Sequence, residues 1–414
     1  MSLQGRLLCF TTFLWSTPLL AIGIGILYEI IVFVFGFIGK VWQQLESSWV
    51  ERTATWFDQR AQGLISRYRK QYYQYLYYQH RDFDVKGLST LGTYTLELDQ
   101  VFVDLRIDPT TALRATPNPI PVSQALLEGS NSIWDYLAAA QLNTQHLAII
   151  GPPGSGKTTL LKHITLALAA PRKRGQQSPP ARMLHKLPIF LFLRDHASMI
   201  REQAHYTLGN AILDHLKKWE QPPPPPGWFK RQLSRGRCLV MLDSLDEVAD
   251  PETRTAVVNW VERQMAACPR NRFLVTSRPF GYRSNPLGGV TVLEVRPFTT
   301  RQVERFIYQW YLANEIMSKQ KDDPGVRMRA RAEATALLGR LRNTPALFDL
   351  TVNPLLLTMI ATIHRYGGEL PGNRVACMLR SARCSSANAS KREGRCWNSL
   401  PRRCNWYWSH LPIT

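Results

Sequence analysis

One nine-residue stretch, Gly151–Thr159 with the sequence GPPGSGKTT, constrains this chain more than any other part of it. It fits the pattern G-x-x-x-x-G-K-[ST], in which a glycine-rich turn between a strand and a helix cradles phosphate groups. The flanking sequence suits that context, because His146–Ile150 is an apolar run of strand length and Leu160–Ala169 has apolar residues at helical spacing. The N–H groups of such a turn and the helix dipole both point at phosphate. We therefore predict a phosphate-binding loop here rather than a chance match.

The fixed positions of the pattern assign candidate binding residues. Lys157 is predicted to bind the β- and γ-phosphates of a nucleotide, and the Thr158 hydroxyl is predicted to bind Mg²⁺. The other predicted nucleotide-binding residues are those of the loop itself, namely Gly151, Pro152, Pro153, Gly154, Ser155, Gly156 and Thr159. The predicted cofactors are accordingly ATP (or GTP) and Mg²⁺.

A second stretch, Cys238–Val248, strengthens this prediction. Its apolar residues would deliver Asp243 to the C-terminal edge of a parallel sheet, where folds of this kind bind ligands. A carboxylate there can hold Mg²⁺ opposite the Thr158 hydroxyl. Asp246 and Glu247 follow one turn later, and either could orient an attacking water. An apolar run that ends in Asp is a weak signal alone, but it is a strong one when paired with the phosphate loop.

A third stretch, Arg272–Pro279, is predicted to be a strand that ends in the polar residues Thr276, Ser277 and Arg278. A guanidinium beside bound phosphate can sense the γ-phosphate. The alternative is an arginine that merely caps the end of the strand. Thr291–Val295 is then predicted to close the sheet, and helices follow, beginning with Thr299–Asn314.

Other segments have simpler patterns. Leu187–Leu193 is predicted to be a second buried strand, and Leu208–Trp219 a helix. Tyr94–Arg106 alternates between apolar and polar residues, which predicts a strand or a pair of strands. Asp108–Ser123, rich in Pro and Thr, is predicted to be a linker.

The N-terminal segment Leu7–Gly39 carries one residue that is charged at neutral pH, Glu29. A membrane span needs about 20 apolar residues, whereas the apolar core of a cleaved signal peptide has roughly 7–15. The segment is therefore predicted to span the membrane once, with a signal peptide as the alternative. Basic residues follow it, and the positive-inside rule then places the phosphate-binding part of the chain in the cytoplasm.

The formal net charge of +20 raises the question of a nucleic-acid or anionic membrane partner. Arg67–His80 combines basic residues with tyrosines, which suits either stacking on nucleic-acid bases or a helix that packs on a neighbouring domain. We favour packing, because no glycine-bearing stacking motif accompanies the tyrosines. We therefore expect the chain to be associated with a membrane and do not expect it to bind nucleic acid directly.

The final segment, 377–414, differs from the rest in composition, with no apolar period and four of the seven cysteines. A zinc-binding or RNA-binding tail is one interpretation, but no cysteines form a C-x-x-C pair. The preferred hypothesis is a frameshift after residue 376, because a reading frame one base earlier permits an amphipathic helix. On that hypothesis the chain is truncated.

Taken together, these motifs resemble those of the NACHT NTPases, which belong to the STAND class of signalling P-loop ATPases. The resemblance runs from roughly His80 to Val375. The stretches that carry it are Asp243–Glu247, Thr276–Pro279, Glu294–Phe298 leading into Phe306 and Trp310, and the helix start Asn353–Leu355. It implies a P-loop α/β fold, a parallel sheet sandwiched by helices and followed by a helical subdomain. It also implies that Pro354 lies near the adenine.

The resemblance further implies a nucleotide-controlled switch that hydrolyses ATP slowly and forms a homo-oligomer when ATP is bound. Bacterial members of the family are associated with defence and signal transduction. The residues predicted to act in hydrolysis are Lys157, Asp246, Glu247 and Arg278. Two alternatives are a nucleic-acid-directed P-loop ATPase and a small-molecule kinase.

The predicted domain order has five parts. It consists of a transmembrane segment (7–39), a basic and aromatic juxtamembrane helix and linker (40–130), a nucleotide-binding domain (131–296), a helical subdomain (297–376) and the aberrant tail (377–414).

Overall fold

The computed structural model describes residues 33–34, 66–83, 96–109, 132–138, 146–169, 179–248 and 250–367. The chain divides into two compact units, residues 1–69 and 70–414. Residues 33–34 and 66–69, the described part of the first unit, are helical. The sheet, the site and the helices below belong to the second unit, except for residues 66–69 at the start of α1.

A six-stranded sheet with the order β1-β6-β2-β5-β4-β3 forms the centre of this unit. All neighbouring strands run parallel except β1, which is antiparallel to β6. The strands are β1 Ile107–Pro109, β2 His146–Ile150, β3 Leu187–Phe192, β4 Cys238–Asp243, β5 Arg272–Ser277 and β6 Val290–Val295. The predicted α/β fold with a parallel sheet is therefore confirmed for β2 to β6. The prediction that Thr291–Val295 closes the sheet was wrong, because β6 lies between β2 and the antiparallel edge strand β1, which overlaps the start of the predicted linker.

Strands β2 to β5 form where the sequence has continuous apolar runs, as expected for strands that are buried on both faces. Every residue of β4 is buried, and β2, β3 and β5 are buried over nearly their whole length. Strand β5 lies between β2 and β4. The strand that precedes the phosphate loop and the strand that carries Asp243 are thus separated by one strand.

Besides the helical residues 33 and 34, nine helices precede or interleave with the strands in the described residues. They are α1 (66–80), α2 Leu98–Val101, α3 Ile133–Ala138, α4 Lys157–Ala169, α5 Leu193–Glu202, α6 Leu208–Lys218, α7 Trp228–Ser234, α8 Pro251–Ala267 and α9 Pro279–Ser284. Helix α8 begins with a strong local signal, because the Asp250 side chain accepts a hydrogen bond from the Thr253 N–H and Pro251 occupies the first turn.

Four further helices follow the sheet, namely α10 Thr300–Lys319, α11 Pro324–Arg342, α12 Pro345–Phe348 and α13 Pro354–Gly367. Thr299 and Gln302 form a capping box that starts α10, and Asp323 caps α11. Most of the buried apolar residues of these helices belong to the same continuous hydrophobic core as the sheet.

Residues 70–80 of α1 pack against β3, α6 and α7 through their tyrosines. The Tyr72 hydroxyl donates to the Pro188 carbonyl (3.0 Å), and its ring meets Trp228 edge to face. The Tyr75 hydroxyl lies 3.0 Å from Nε2 of His215. The interpretation of Arg67–His80 as a packing helix is confirmed for these two tyrosines.

The strand predicted over Tyr94–Arg106 was wrong. Leu98–Val101 is a short helix, and residues 102–106 are extended without a partner strand. The alternation is real, because Val101, Val103, Leu105 and Ile107 are buried whereas the residues between them are half-buried. Alternation of apolar and polar residues indicates that one face of an extended segment is buried. It does not show that the segment has a hydrogen-bonded partner strand. Apart from an isolated antiparallel bridge between Glu97 and Asp82, strand pairing begins at Ile107, one residue before the predicted linker.

The predicted membrane span, Leu7–Gly39, and the tail 377–414 lie outside the described residues, apart from positions 33 and 34. No helix in the described ranges is both long enough and apolar enough to cross a bilayer. The membrane span remains a prediction.

Candidate functional site

The predicted site residues converge on the C-terminal edge of the sheet, where parallel strands of such folds bind ligands. Ile150 at the end of β2 lies opposite Ser277 at the end of β5, and the Gly151 N–H donates to the Ser277 carbonyl (3.3 Å). Phe192 at the end of β3 lies opposite Asp243 at the end of β4. The residues that follow all four strands therefore meet at one edge.

The phosphate loop requires glycine at three of its positions. Gly154 and Gly156 have φ values of +77° and +89°, in the left-handed region. A Cβ at Gly151 would lie 2.7 Å from Oγ of Ser155 and 3.1 Å from Cβ of Val295. The loop leads directly into α4, whose first N–H groups have no acceptor within the helix. These donors can bind an anion.

Two side chains of the loop are placed for a polyanion. Nζ of Lys157 donates to the carbonyls of Gly151 (2.6 Å) and Pro152 (3.1 Å). Burial lowers the pKa of Lys157 to about 8; the charge of Arg278 lowers it too, while nearby carboxylates, chiefly Asp246, oppose this. Oγ of Ser155 is buried and has no hydrogen-bond partner among the described residues. The loop thus offers a cation and an unpartnered hydroxyl.

Thr158 and Asp243 form the candidate metal pair. The Thr158 hydroxyl donates to Oδ2 of Asp243 at 2.8 Å, and Asp243 is fully buried. The Thr276 hydroxyl donates to Oδ1 of Asp243 and accepts the Ser244 N–H (2.8 Å). Thr276 therefore orients the carboxylate. A hydroxyl and a carboxylate are the oxygen donors that Mg²⁺ prefers, so the pair fits this metal.

Asp246 and Arg278 are bound to each other. Oδ1 of Asp246 accepts the Arg278 backbone N–H (2.8 Å), and Oδ2 lies 3.1 Å from Nε of Arg278. Gly281 makes this approach possible, because a Cβ there would lie 2.5 Å from Cβ of Asp246. Both oxygens of this carboxylate are thus occupied by Arg278.

Glu247 has a different partner, Arg194, which the sequence analysis missed. Nη1 of Arg194 bonds to Oε2 of Glu247, and the guanidinium lies 5.2 Å from the centre of the Phe192 ring. Oε1 of Glu247 has no hydrogen-bond partner in the described part of the chain. The position of Arg194 in the sequence could have indicated this contact. Arg194 comes shortly after the end of β3, just as Arg278 comes after the end of β5.

The start of α13 contacts the phosphate loop. Nδ2 of Asn353 donates to the Pro153 carbonyl (2.9 Å), and the Leu355 N–H donates to the Gly154 carbonyl (3.3 Å). Oδ1 of Asn353 also accepts the N–H of Leu355 (3.0 Å), which caps the helix. Pro354 is the first helical residue, so the structure places it beside the loop. The sequence analysis also missed the hydrogen bonds of Asn353. The available signal was the Asn-Pro pair, which is typical of the start of a helix.

The structure thus brings Lys157, Thr158, Asp243, Asp246, Glu247 and Arg278 to one edge of the sheet. Such an arrangement can bind a polyphosphate, hold Mg²⁺ and orient a water molecule.

Comparison with known proteins gives one family match. The model of the NACHT domain family matches residues 145–314. Two solved structures have low TM-scores. The Walker-type ATPase PABY2304 of Pyrococcus abyssi is 13% identical, with a TM-score of 0.33, over 67% of this chain and 76% of that chain. PCH-2 of C. elegans is 14% identical, with a TM-score of 0.29, over 63% and 68% respectively. No curated protein matches the chain.

Proposed function

This chain is a NACHT-domain NTPase, with the domain at residues 145–314, and from that premise we propose that it is a membrane-anchored signalling switch that binds ATP and hydrolyses it slowly. The observation that carries the proposal is the pair of Thr158 and Asp243, 2.8 Å apart beside a loop that requires glycine. A hydroxyl at the start of α4 and a buried carboxylate at the end of β4 can share one Mg²⁺.

The roles of the charged residues follow from their contacts. Lys157 binds the β- and γ-phosphates, and Thr158 and Asp243 hold Mg²⁺. Arg278 senses the γ-phosphate, positioned by Asp246, whose two oxygens it occupies. Glu247 orients the attacking water, because its Oε1 is the carboxylate oxygen with no partner in the described region.

The switch depends on the contact between the phosphate loop and α13. A change in the loop on nucleotide binding reaches Asn353 and Leu355 directly, because both bond to loop carbonyls. In this proposal ATP favours an open, oligomerising state and ADP a closed one. Hydrolysis of ATP to ADP resets the switch. It is slow in this proposal because Asp246 and Glu247 are each held by an arginine.

Membrane anchoring rests on the segment Leu7–Gly39 and on the basic residues that follow it. With the phosphate loop in the cytoplasm, cytosolic ATP would reach the site. A role in bacterial defence is proposed from the family alone.

The proposed switch is tested by the oligomeric state of the full chain. Glu247→Gln should retain Mg·ATP binding, lower phosphate release about 10²-fold and accumulate large particles with ATP but not ADP. Glu202→Gln, which changes an exposed glutamate of α5, should behave like the wild type. Mass photometry and a phosphate-release assay measure the two effects. Unchanged turnover and no ATP-dependent assembly in Glu247→Gln would contradict the proposal.

A further inference from the structure

The edge of the sheet opposite Asp243 carries a cluster of basic residues. The N-terminal ends of β3, β4 and β5 lie side by side there, with Leu187 opposite Cys238 and Leu239 opposite Arg272. Each of these strands is preceded or opened by two basic residues. We call this cluster the basic edge, and its members are Arg182, Lys186, Arg235, Arg237, Arg270 and Arg272.

Backbone contacts hold the basic edge together. The Leu187 N–H donates to the Arg237 carbonyl (2.7 Å), and Nζ of Lys186 donates to the Gly236 carbonyl. The turn around Gly236 also touches the chain before β5, because a Cβ at Gly236 would lie 2.6 Å from Cβ of Arg270. The basic side chains therefore extend from three connected turns.

A buried asparagine fixes the spacing of two of these turns. Asn271 is fully buried; its Oδ1 accepts the Cys238 N–H (3.0 Å), and its Nδ2 donates to the Leu233 carbonyl (2.7 Å). Arg270 and Arg272 flank this asparagine, while Arg235 and Arg237 lie in the turn that it binds. The arginines are consequently mounted on a well-supported edge.

Four members of the basic edge have no ion-pair partner among the described residues. Arg182, Arg235, Arg237 and Arg270 are exposed, and no carboxylate of the described residues forms an ion pair with them. The segments 179–192, 221–242 and 263–277 contain no Asp or Glu. By contrast, several other arginines are paired, such as Arg342 with Glu304.

Repulsion between like charges also acts within the cluster. Burial lowers the pKa of Lys186, and the charge of Arg272 lowers it further. Burial lowers the pKa of Arg272 too, with an added contribution from Arg182. An external anion would relieve this repulsion.

The chemistry of the edge favours lipid phosphates over nucleic-acid bases. Four of the large aromatic residues of these segments, Phe190, Trp228, Phe229 and Phe273, are buried. The fifth, Phe192, is half-buried but lies at the opposite edge, next to Asp243, so the basic edge offers no ring on which a base could stack. Arginine binds phosphate groups well, and clustered basic residues attract anionic phospholipid surfaces.

We propose that the basic edge docks on the anionic phospholipid headgroups of a membrane surface, with the nucleotide site at the opposite edge of the sheet directed away from the bilayer. The proposal extends the proposed membrane anchoring but does not depend on it, because the charge of the edge acts on any anionic bilayer. Loss of one of these arginines should weaken the docking roughly fivefold.

The test is arginine footprinting of the full chain with phenylglyoxal, read by mass spectrometry. The chain is placed on neutral phosphatidylcholine vesicles or on vesicles with about 30% phosphatidylserine. Labelling of Arg235, Arg237 and Arg270 should be at least about fivefold slower on the anionic vesicles, and high salt should abolish the difference. The exposed Arg329 and Arg331 of α11 serve as internal controls and should label equally on both.

A matched pair of variants completes the test. Arg235→Gln/Arg237→Gln/Arg270→Gln should lose the response to phosphatidylserine. Arg305→Gln/Arg329→Gln/Arg331→Gln, which removes the same charge from α10 and α11, should keep it. Retained ATP binding shows that both variants are folded.

Several outcomes would overturn the proposal. They are equal labelling of the basic edge on both vesicles, protection on neutral vesicles as well, and protection by duplex DNA but not by phosphatidylserine, which would identify a nucleic-acid partner. Failure of the membrane-anchoring proposal can be distinguished from failure of the docking proposal. If the chain is not anchored, high salt should release it from neutral vesicles. Protection on anionic vesicles is measured independently of that release.

Discussion

At the scale of single residues, His80 shows how a buried polar side chain without a hydrogen-bond partner among the described residues lowers the stability of the fold. It is 4% exposed, and neither ring nitrogen has a hydrogen-bond partner among the described residues. Its ring meets Phe190 edge to face, with 4.9 Å between centres. Burial, with smaller contributions from the charges of Lys162 and His215, lowers the pKa of His80 to about 3. An unsatisfied buried group of this kind costs about 1–3 kcal/mol.

His80→Phe should therefore raise the free energy of unfolding by about 1–2 kcal/mol at pH 7. It should also flatten the acid dependence. Below pH 6.5 His80 is protonated in the unfolded chain but stays neutral in the native protein. The free energy of unfolding of the wild type therefore falls by about 1.4 kcal/mol per pH unit as the pH falls towards 3. Urea unfolding at pH 7 and pH 5 measures both effects. His185→Phe, at an exposed histidine, is the control. A less stable His80→Phe protein would refute this account of His80.

Thr276 is a positioning residue whose hydroxyl can be tested separately from its volume. Thr276→Val keeps the shape but removes the donor to Asp243 and the acceptor of the Ser244 N–H. We expect about tenfold more Mg²⁺ to be needed for ATP binding, because the carboxylate loses about 1–2 kcal/mol of orienting hydrogen bond. Thr276→Ser retains the hydroxyl and should stay near the wild type. An Mg²⁺ titration of ATP binding decides the matter, and equal requirements in both variants would argue against a positioning role.

At the scale of elements, the contact between the phosphate loop and α13 is the most sharply testable. Gly154 has a left-handed φ of +77°, and a Cβ there would lie 2.7 Å from Oδ1 of Asn353 and 2.8 Å from Cβ of Leu355. Gly154→Ala should lower the free energy of unfolding by about 1–3 kcal/mol and weaken ATP binding, since it strains the loop and displaces the helix start.

The control is another glycine in an ordinary helical position. Gly339 lies within α11, with nothing within 4 Å of an added Cβ. Gly339→Ala should therefore raise the free energy of unfolding by about 0.5–1 kcal/mol. Thermal unfolding and ATP titration of both variants give the comparison. If Gly154→Ala were as well tolerated as Gly339→Ala, the loop and α13 would not be coupled.

The elements differ in how far the sequence could predict them. Strands β2 to β5 were predictable, because their apolar runs are continuous and end in turn residues or polar side chains. Strand β6 was predicted as well, although Thr291 and Glu294 interrupt its apolar residues. Tyr94–Arg106 was not, since a buried extended segment and a strand share one alternating pattern. The pairing of Arg194 with Glu247 and of Asn353 with Pro153 also escaped prediction, because both join residues that are far apart in sequence. Their positions at element ends were the available clues.

At the scale of the whole molecule, membrane attachment is the proposal with the widest consequences. The segment Leu7–Gly39 should keep the full chain in the membrane fraction during extraction at alkaline pH, because burial of about 20 apolar residues is insensitive to charge. Deletion of residues 1–39 should release the protein under those conditions. Immunoblots of pellet and supernatant give the result. Full release of the intact chain would contradict single-pass anchoring.

The central claim is that Gly151–Thr159 binds a nucleotide together with Mg²⁺, and calorimetric titration of the full chain with ATP tests it most directly. The wild type should bind ATP in an Mg²⁺-dependent manner. Lys157→Ala should weaken binding at least about 100-fold, because it removes charge-assisted bonds to phosphate worth about 3 kcal/mol. Lys217→Ala, at an exposed lysine of α6, should bind like the wild type. Equal affinity of Lys157→Ala and the wild type would contradict the claim.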